Sequence, residues 1–128
     1  MYLCEPALKI DIHDYKQYID GALVYSGGTH TFEDIVAGVE AGTLQFWPGT
    51  ASAVVTEIIV APQQKILHFF LAGGSLAELE RMLPEIRAWG REQGCTRATL
   101  TGRKGWERTF LAREGWKPTL VVYEGPME

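Results

Sequence analysis

The second half of the chain places a strand, a glycine-containing turn, a long helix and another strand in succession, and this order constrains the fold most. Residues 65–71 are apolar on both faces, as in a central strand that is covered on both sides. Ser75 and Glu78 open the helix with capping-box spacing, and the helix is predicted to run to about residue 93. The next strand is predicted at residues 96–101. Because a βαβ crossover places its two strands parallel, the segment predicts a parallel strand pair.

Alternation within the central strand predicts which side chains share a face. Leu67, Phe69 and Leu71 are expected on one face of the sheet. The opposite face then carries the remaining side chains, namely Ile66, His68 and Phe70.

Two helices are predicted before this unit, at residues 12–25 and 32–41. Asp11 and Thr31 are candidate N-caps, and Gly42 is a natural residue to end the second helix. The other predicted elements are strands at 43–47, 52–60 and 119–123, and a short helix at 105–113. Strands 43–47, 52–60 and 65–71 follow one another through short turns, which favours an antiparallel meander.

These elements predict one α/β (α+β) domain over residues 1–128. Its mixed central sheet follows two N-terminal helices, with the meander leading into strand, helix, strand, helix and strand. Hydrophobic residues make up 46% of the chain, enough for a core without disulfides. Cys4 and Cys95 are expected to be free thiols of a reducing compartment.

Charge and hydropathy exclude several classes of function. The net charge of −4 argues against general nucleic-acid binding. Every apolar run is far shorter than the ~20 residues that span a bilayer, and no signal peptide opens the sequence. A cytoplasmic location is therefore expected, with packaging into a particle made in the cytoplasm as the alternative. His13 and His30 have no partners at ligand spacing, so no metal is expected.

The loop after the central strand is the strongest candidate site. Gly73 and Gly74 let backbone approach a ligand, and Ser75 begins a helix whose free N–H groups favour an anion such as a pyrophosphate. The alternative is a tight turn with a helix cap and no ligand.

From about Ser52 to Tyr123 the order of elements, the glycine turn and the ending Gly115-Trp116 resemble the GNAT N-acetyltransferase superfamily. The resemblance implies an acyl-CoA-dependent N-acyltransferase that binds acetyl-CoA or another acyl-CoA. Its diphosphate would lie on backbone N–H groups of the turn, carried here by Leu71, Ala72, Gly73, Gly74 and Ser75. The family often has a tyrosine as general acid four residues before its Gly-Phe ending, where this chain has Leu111.

A narrower resemblance, to small GNAT-like proteins of tailed phages and prophages, is carried by three stretches. They are Val55-Thr56-Glu57-Ile58, Leu71-Ala72-Gly73-Gly74 and Gly102-Arg103-Lys104-Gly105-Trp106-Glu107-Arg108. This resemblance implies a phage origin. The alternative function is therefore a non-catalytic phage accessory, virion or morphogenesis protein that uses the fold to bind phage or host proteins. Homodimerisation through strand edges is a further alternative.

Two further side chains are candidates for proton transfer. Glu57 is a carboxylate among apolar strand residues; burial near a cleft would raise its pKa toward that of a base for the acceptor amine. The alternative is a solvent-facing or salt-bridged residue. His68 is a candidate base or a hydrogen-bonded core histidine.

A basic cluster beside a tryptophan is the candidate interaction segment. It comprises Arg103, Lys104, Trp106 and Arg108. Arginine can bind a phosphate or carboxylate in a fork, and arginine and tryptophan are also typical anchors of protein interfaces.

Overall fold

The elements of the protein follow the predicted order closely. The computed structural model describes residues 10–103 and 105–128, so Cys4 and Lys104 lie outside the described residues. The α-helices are α1 (Lys16–Leu23), α2 (Phe32–Ala41), α3 (Leu76–Glu92) and α4 (Phe110–Arg113). The strands are β1 (Gln45–Pro48), β2 (Ser52–Val60), β3 (Lys65–Gly74) and β4 (Arg97–Leu100). Short 3-10 turns occupy Ile12–Tyr15 and Trp106–Arg108.

The four strands form one mixed sheet in the order β1-β2-β3-β4. The first three strands are antiparallel, and β4 is parallel to β3. Both the meander and the βαβ unit of the prediction are therefore confirmed, and so is the mixed α/β architecture.

Local signals explain the helix boundaries. Thr31 and Asp34 form a reciprocal capping box at the start of α2, and Gly42 ends the helix with φ 84°. Asp11 accepts a hydrogen bond from the His13 N–H, as an N-cap does. The helix predicted at residues 12–25 is divided, however, because its first turn is 3-10.

A hydrophobic cluster covers each face of the sheet. The cluster on the α3 and α4 face includes Trp47, Val54, Leu67, Phe69, Leu79, Leu83, Ile86, Phe110 and Leu111. The cluster on the α1 and α2 face includes Ile19, Phe32, Ile35, Phe46, Ala53, Val55 and Leu71.

A β-bulge at Phe70 separates the two clusters along β3. Thr56 is paired with Phe69 and Val55 with Leu71, so Phe70 has no counterpart in β2. The extra residue reverses the alternation. The prediction that Leu71 shares a face with Phe69 is therefore wrong, because Leu71 packs on the side of α1.

The central strand is longer than predicted. Residues 72–74 were expected in a loop, but they pair with β2, where Gly74 lies opposite Ser52 and Gly73 opposite Ala53. Strand length here depends on a neighbouring strand that local sequence does not reveal.

The last predicted strand is absent. Residues 119–123 have no regular secondary structure and are exposed. Their β-branched and apolar residues favour a strand, but they pair with no strand among the described residues.

Candidate functional site

A cavity of about 680 Å³ lies where the pairing of β3 with β4 ends. The parallel pairing of these strands ends at Phe69 and Leu100, and a last bond joins the Thr101 N–H to the Phe69 carbonyl. Beyond that bond, β3 pairs with β2 on one side. On its other side, no strand among the described residues pairs with residues 70–74. The unpaired backbone groups on that edge can bind an extended polar ligand, since main-chain donors and acceptors need partners.

Four segments surround the cavity: α1 with the residues after it, the end of β3, the start of α3, and the segment after β4. The lining residues from the first and last segments include Gln17, Tyr18, Gly21, Ala22, Tyr25, Ser26, Thr101, Gly102, Arg103, Gly105, Trp106, Arg108 and Thr109. Those between them are Phe70, Leu71, Ala72, Gly73, Gly74, Leu76 and Leu79. The volume falls within the ~300–1,000 Å³ of small-molecule sites.

Both glycines of the predicted cradle line the cavity, but they also allow close packing. A side chain at Gly73 would collide with the backbone carbonyl of Tyr18. Gly74 has φ 112°, a left-handed conformation that L side chains rarely adopt, and its Cα faces the backbone of Ala51 and Ser52. Both glycines therefore have a structural role, whether or not a ligand binds.

Ser75 caps α3 by accepting a hydrogen bond from the Glu78 N–H at 3.3 Å. The Glu78 carboxylate does not return to Ser75 as a full capping box would require. It accepts hydrogen bonds from the Thr50 and Ala51 N–H groups, at 2.6 and 2.8 Å, and from the Ser52 hydroxyl at 2.5 Å. The Ser52 hydroxyl, followed by the two backbone N–H groups, lowers the pKa of Glu78 to about 2. A charged carboxylate therefore joins the start of α3 to the turn before β2.

Two arginines bring positive charge to the cavity. The Arg103 guanidinium lies 4.2 Å from the ring centre of Tyr25 and 5.8 Å from that of Trp106. Arg108 lines the same cavity. The glycine cradle and the two described arginines of the basic cluster, which the sequence suggested as separate sites, thus line one cavity.

Trp106 is half-buried and packs against the α3-side cluster. A side chain at Gly102 would meet the Trp106 ring. Trp106 therefore has a packing role in the monomer, which leaves less of its surface for a partner.

A row of polar side chains crosses the sheet beside the cavity. Glu57 of β2 is the cross-strand neighbour of His68. The His68 ring nitrogens lie 2.7 Å from the Thr99 hydroxyl and 2.9 Å from the Thr101 hydroxyl. Desolvation lowers the pKa of His68, and the negative charge of Glu57 opposes that effect.

This row reaches the cavity through Thr101, which is among the lining residues, whereas Glu57 and His68 are not. A proton at the cavity wall therefore has a hydrogen-bonded path to the imidazole, and the carboxylate lies next to that imidazole. The sequence analysis missed Thr101, because its role depends on β4 lying beside β3.

Two phenols line the cavity, on Tyr18 and Tyr25. Leu111, at the position where the resemblance places a tyrosine, is buried in the core. Tyr18 and Tyr25 are seven residues apart, two turns of the helix predicted at residues 12–25, and this spacing could have indicated a shared face.

Within residues 10–103 and 105–128, no helix is long and apolar enough to cross a membrane. No three histidine, cysteine, aspartate or glutamate side chains in these ranges are grouped as metal ligands would be.

No protein-family model matches the chain, and no curated protein matches it. Solved structures do. A GCN5-related N-acetyltransferase from Ralstonia eutropha superposes with a TM-score of 0.65 at 14% identity, covering 92% of this chain and 94% of that one. A Clostridium acetobutylicum protein, described as a predicted acetyltransferase with acetyl-CoA, gives 0.65 at 12% identity and covers 92% and 93%. A Trypanosoma brucei acetyltransferase gives 0.59 at 7% identity and covers 88% and 94%.

At these identities the likeness establishes the fold and leaves the activity open. It extends over nearly the whole length of both chains in each comparison. The chain therefore has the GNAT acetyltransferase fold.

Proposed function

We propose that the chain binds acyl-CoA in the cavity between β3 and β4 and transfers the acyl group to an amine. The end of the pairing between β3 and β4 at Phe69 carries the proposal, because it leaves the β3 edge unpaired along the cavity. The Clostridium acetobutylicum structure of the same fold holds acetyl-CoA.

The residues present suit such a ligand. The open β3 edge offers backbone donors and acceptors to the amides of an extended pantetheine arm. The start of α3 contributes the positive end of a helix dipole near Gly74. Arg103 and Arg108, which line the same cavity, supply positive charge for phosphates.

Acyl-CoA supplies an activated thioester when it is bound. In the transfer, a C–N bond forms to the acceptor, the C–S bond breaks, the amine loses a proton and the thiol gains one. We assign the amine proton to Glu57 through water, or to His68 through the Thr101 hydroxyl, with the negative charge of Glu57 stabilising the protonated ring. Tyr18 and Tyr25 are the phenols that line the cavity and can donate to the leaving sulfur.

Calorimetric titration with acetyl-CoA and with CoA tests the proposal. We expect a Kd in the micromolar range, about −8 kcal/mol. Replacing Gly74 would strain the backbone, so the informative variants are Arg103→Ala and Arg108→Ala. Each should weaken binding about tenfold by removing a charged contact. Arg81→Ala on the exposed side of α3 is the matched control and should bind like the wild type.

The second candidate function is a non-catalytic phage accessory protein, in the host cytoplasm or in a virion. The buried Leu111 in place of an acid favours it. In this function Arg103, Lys104, Trp106 and Arg108 would bind a phage or host protein. No heat from acetyl-CoA at millimolar concentration would remove the acyltransferase proposal and leave this alternative.

A further inference from the structure

Four consecutive large apolar side chains near the C-terminus are exposed to solvent. The exposed fractions of Leu120, Val121, Val122 and Tyr123 are 89%, 69%, 94% and 89%. With Thr119 they form a run of β-branched, aromatic and apolar residues, the composition of a strand. Because apolar side chains would fall on both faces of such a strand, the segment is suited to a position covered on both sides.

The sheet has an open position for a strand. β4 is the last strand in the sheet order, and among the described residues it pairs with β3 alone. Its outer backbone N–H and C=O groups are a template for another strand. Neither Arg97–Leu100 nor the segment 119–123 contains proline, which would block pairing.

The segment does not fill that position in its own chain. The backbone N–H of Trp116 donates to the Leu111 carbonyl, and the Trp116 ring makes an edge contact with Phe69, 5.8 Å between ring centres. Pro118 follows, and residues 119–123 then run through solvent. Among the described residues, one chain thus has both a sheet edge without a neighbouring strand and a strand-like segment that pairs with no strand.

We propose that two copies of this chain exchange these segments, so that residues 119–123 of each copy pair with β4 of the other. A second copy is the partner that satisfies both unpaired features at once, through a two-fold symmetric contact. The inference is independent of the acyltransferase proposal.

Charge selects an antiparallel register for the exchange. If Glu124 lies opposite Arg97, then Val121 lies opposite Leu100 and Val122 opposite Thr99. Neither Arg97 nor Glu124 has an ion-pair partner among the described residues, and both are exposed. An exposed pair adds little affinity, but complementary charges set register and orientation.

Sedimentation of the full chain over a concentration series tests the exchange. The wild type should sediment at twice the single-chain mass of 14.3 kDa at high concentration. Val122→Asp should sediment as a monomer with unchanged circular dichroism, because Val122 contributes nothing to the monomer core. Met127→Asp is the matched control; Met127 is 98% exposed but lies outside the pairing segment, and its variant should remain dimeric.

The register has its own test. Arg97→Glu should weaken the dimer severalfold, and the double variant Arg97→Glu with Glu124→Arg should restore it. A wild type that sediments as a monomer at every concentration would overturn the exchange, as would a Val122→Asp variant that stays dimeric. Failure of the charge reversal to restore the Arg97→Glu dimer would overturn the antiparallel register.

Discussion

Gly73 of β3 lies so close to Tyr18 of α1 that a methyl group on Gly73 would collide with the Tyr18 carbonyl oxygen. This approach brings α1 against the end of the central strand, where the two form adjacent parts of the cavity wall. Backbone cannot yield as a flexible side chain does, so the contact fixes the position of α1 on the sheet.

Gly73→Ala should therefore destabilise the protein by about 1–3 kcal/mol, the typical cost of overpacking. Gly21→Ala is the matched control, because a methyl group at Gly21 meets nothing within 4 Å. That substitution in α1 should raise the free energy of unfolding by about 0.5–1 kcal/mol, since alanine has the higher helix propensity. Urea denaturation measures both, and equal stabilities for the two variants would contradict the close approach.

Glu78→Gln should destabilise the fold by about 1 kcal/mol near neutral pH, after allowance for solvent screening. An amide in place of the carboxylate loses the charge-assisted hydrogen bonds to Thr50, Ala51 and Ser52. The control is Glu92→Gln at the exposed end of α3.

The Glu78 effect should also depend on pH. The folded-state pKa is lowered from 4.5 to about 2, so the carboxylate stabilises the fold fully above 4.5 and loses that contribution as the pH falls through 2. The stabilities of wild type and Glu78→Gln should converge over that window. A constant difference down to the lowest pH would contradict the assigned role of the charge.

The parts of the fold that sequence predicts correctly have their signals nearby in the chain. Helix α2 begins and ends where Thr31, Asp34 and Gly42 indicate, and β2 matches its β-branched run. The errors concern β3, with its bulge at Phe70, and the unpaired segment 119–123. Both depend on neighbouring strands, whose register and presence no local pattern encodes.

The residues of the candidate site could be predicted from local sequence, whereas their arrangement could not. Glycines before a helix N-cap and a basic cluster are visible in the sequence, and so is Glu57. Their arrangement is not visible, because the cavity lies where the pairing of β3 with β4 ends, at Phe69. Thr101 acquires its contact with His68 from that same strand pairing.

His68 should make stability depend on pH in the range where histidine titrates. Burial lowers its pKa below 6.5 in the folded state, so the unfolded chain binds the proton more tightly. The neutral ring therefore stabilises the fold fully above 6.5, and this contribution is lost as the pH falls below that value toward the folded-state pKa.

Replacing His68 by glutamine should reduce this dependence. Denaturation at about pH 7.5 and about pH 5.5 should show a larger loss for the wild type than for His68→Gln. His13→Gln serves as the control, because His13 is exposed. An identical loss in wild type and His68→Gln would show that the acid sensitivity arises elsewhere.

Glu57→Gln should lower turnover about 100-fold, the size of a typical general-base contribution, with little change in the Kd for CoA. Glu57 lies beside His68 and outside the cavity lining, so we expect it to act through His68 or through water. If the proton passes from Thr101 to His68 and the charge of Glu57 stabilises the protonated ring, Glu57 and His68 act as one unit and their effects are non-additive. The double variant Glu57→Gln with His68→Gln should then be no slower than the slower single variant.

Thiol release from acetyl-CoA with a panel of amines measures these rates, with Glu92→Gln as the control. Multiplicative losses would exclude the relay, and an unchanged Glu57→Gln rate would remove Glu57 from the mechanism.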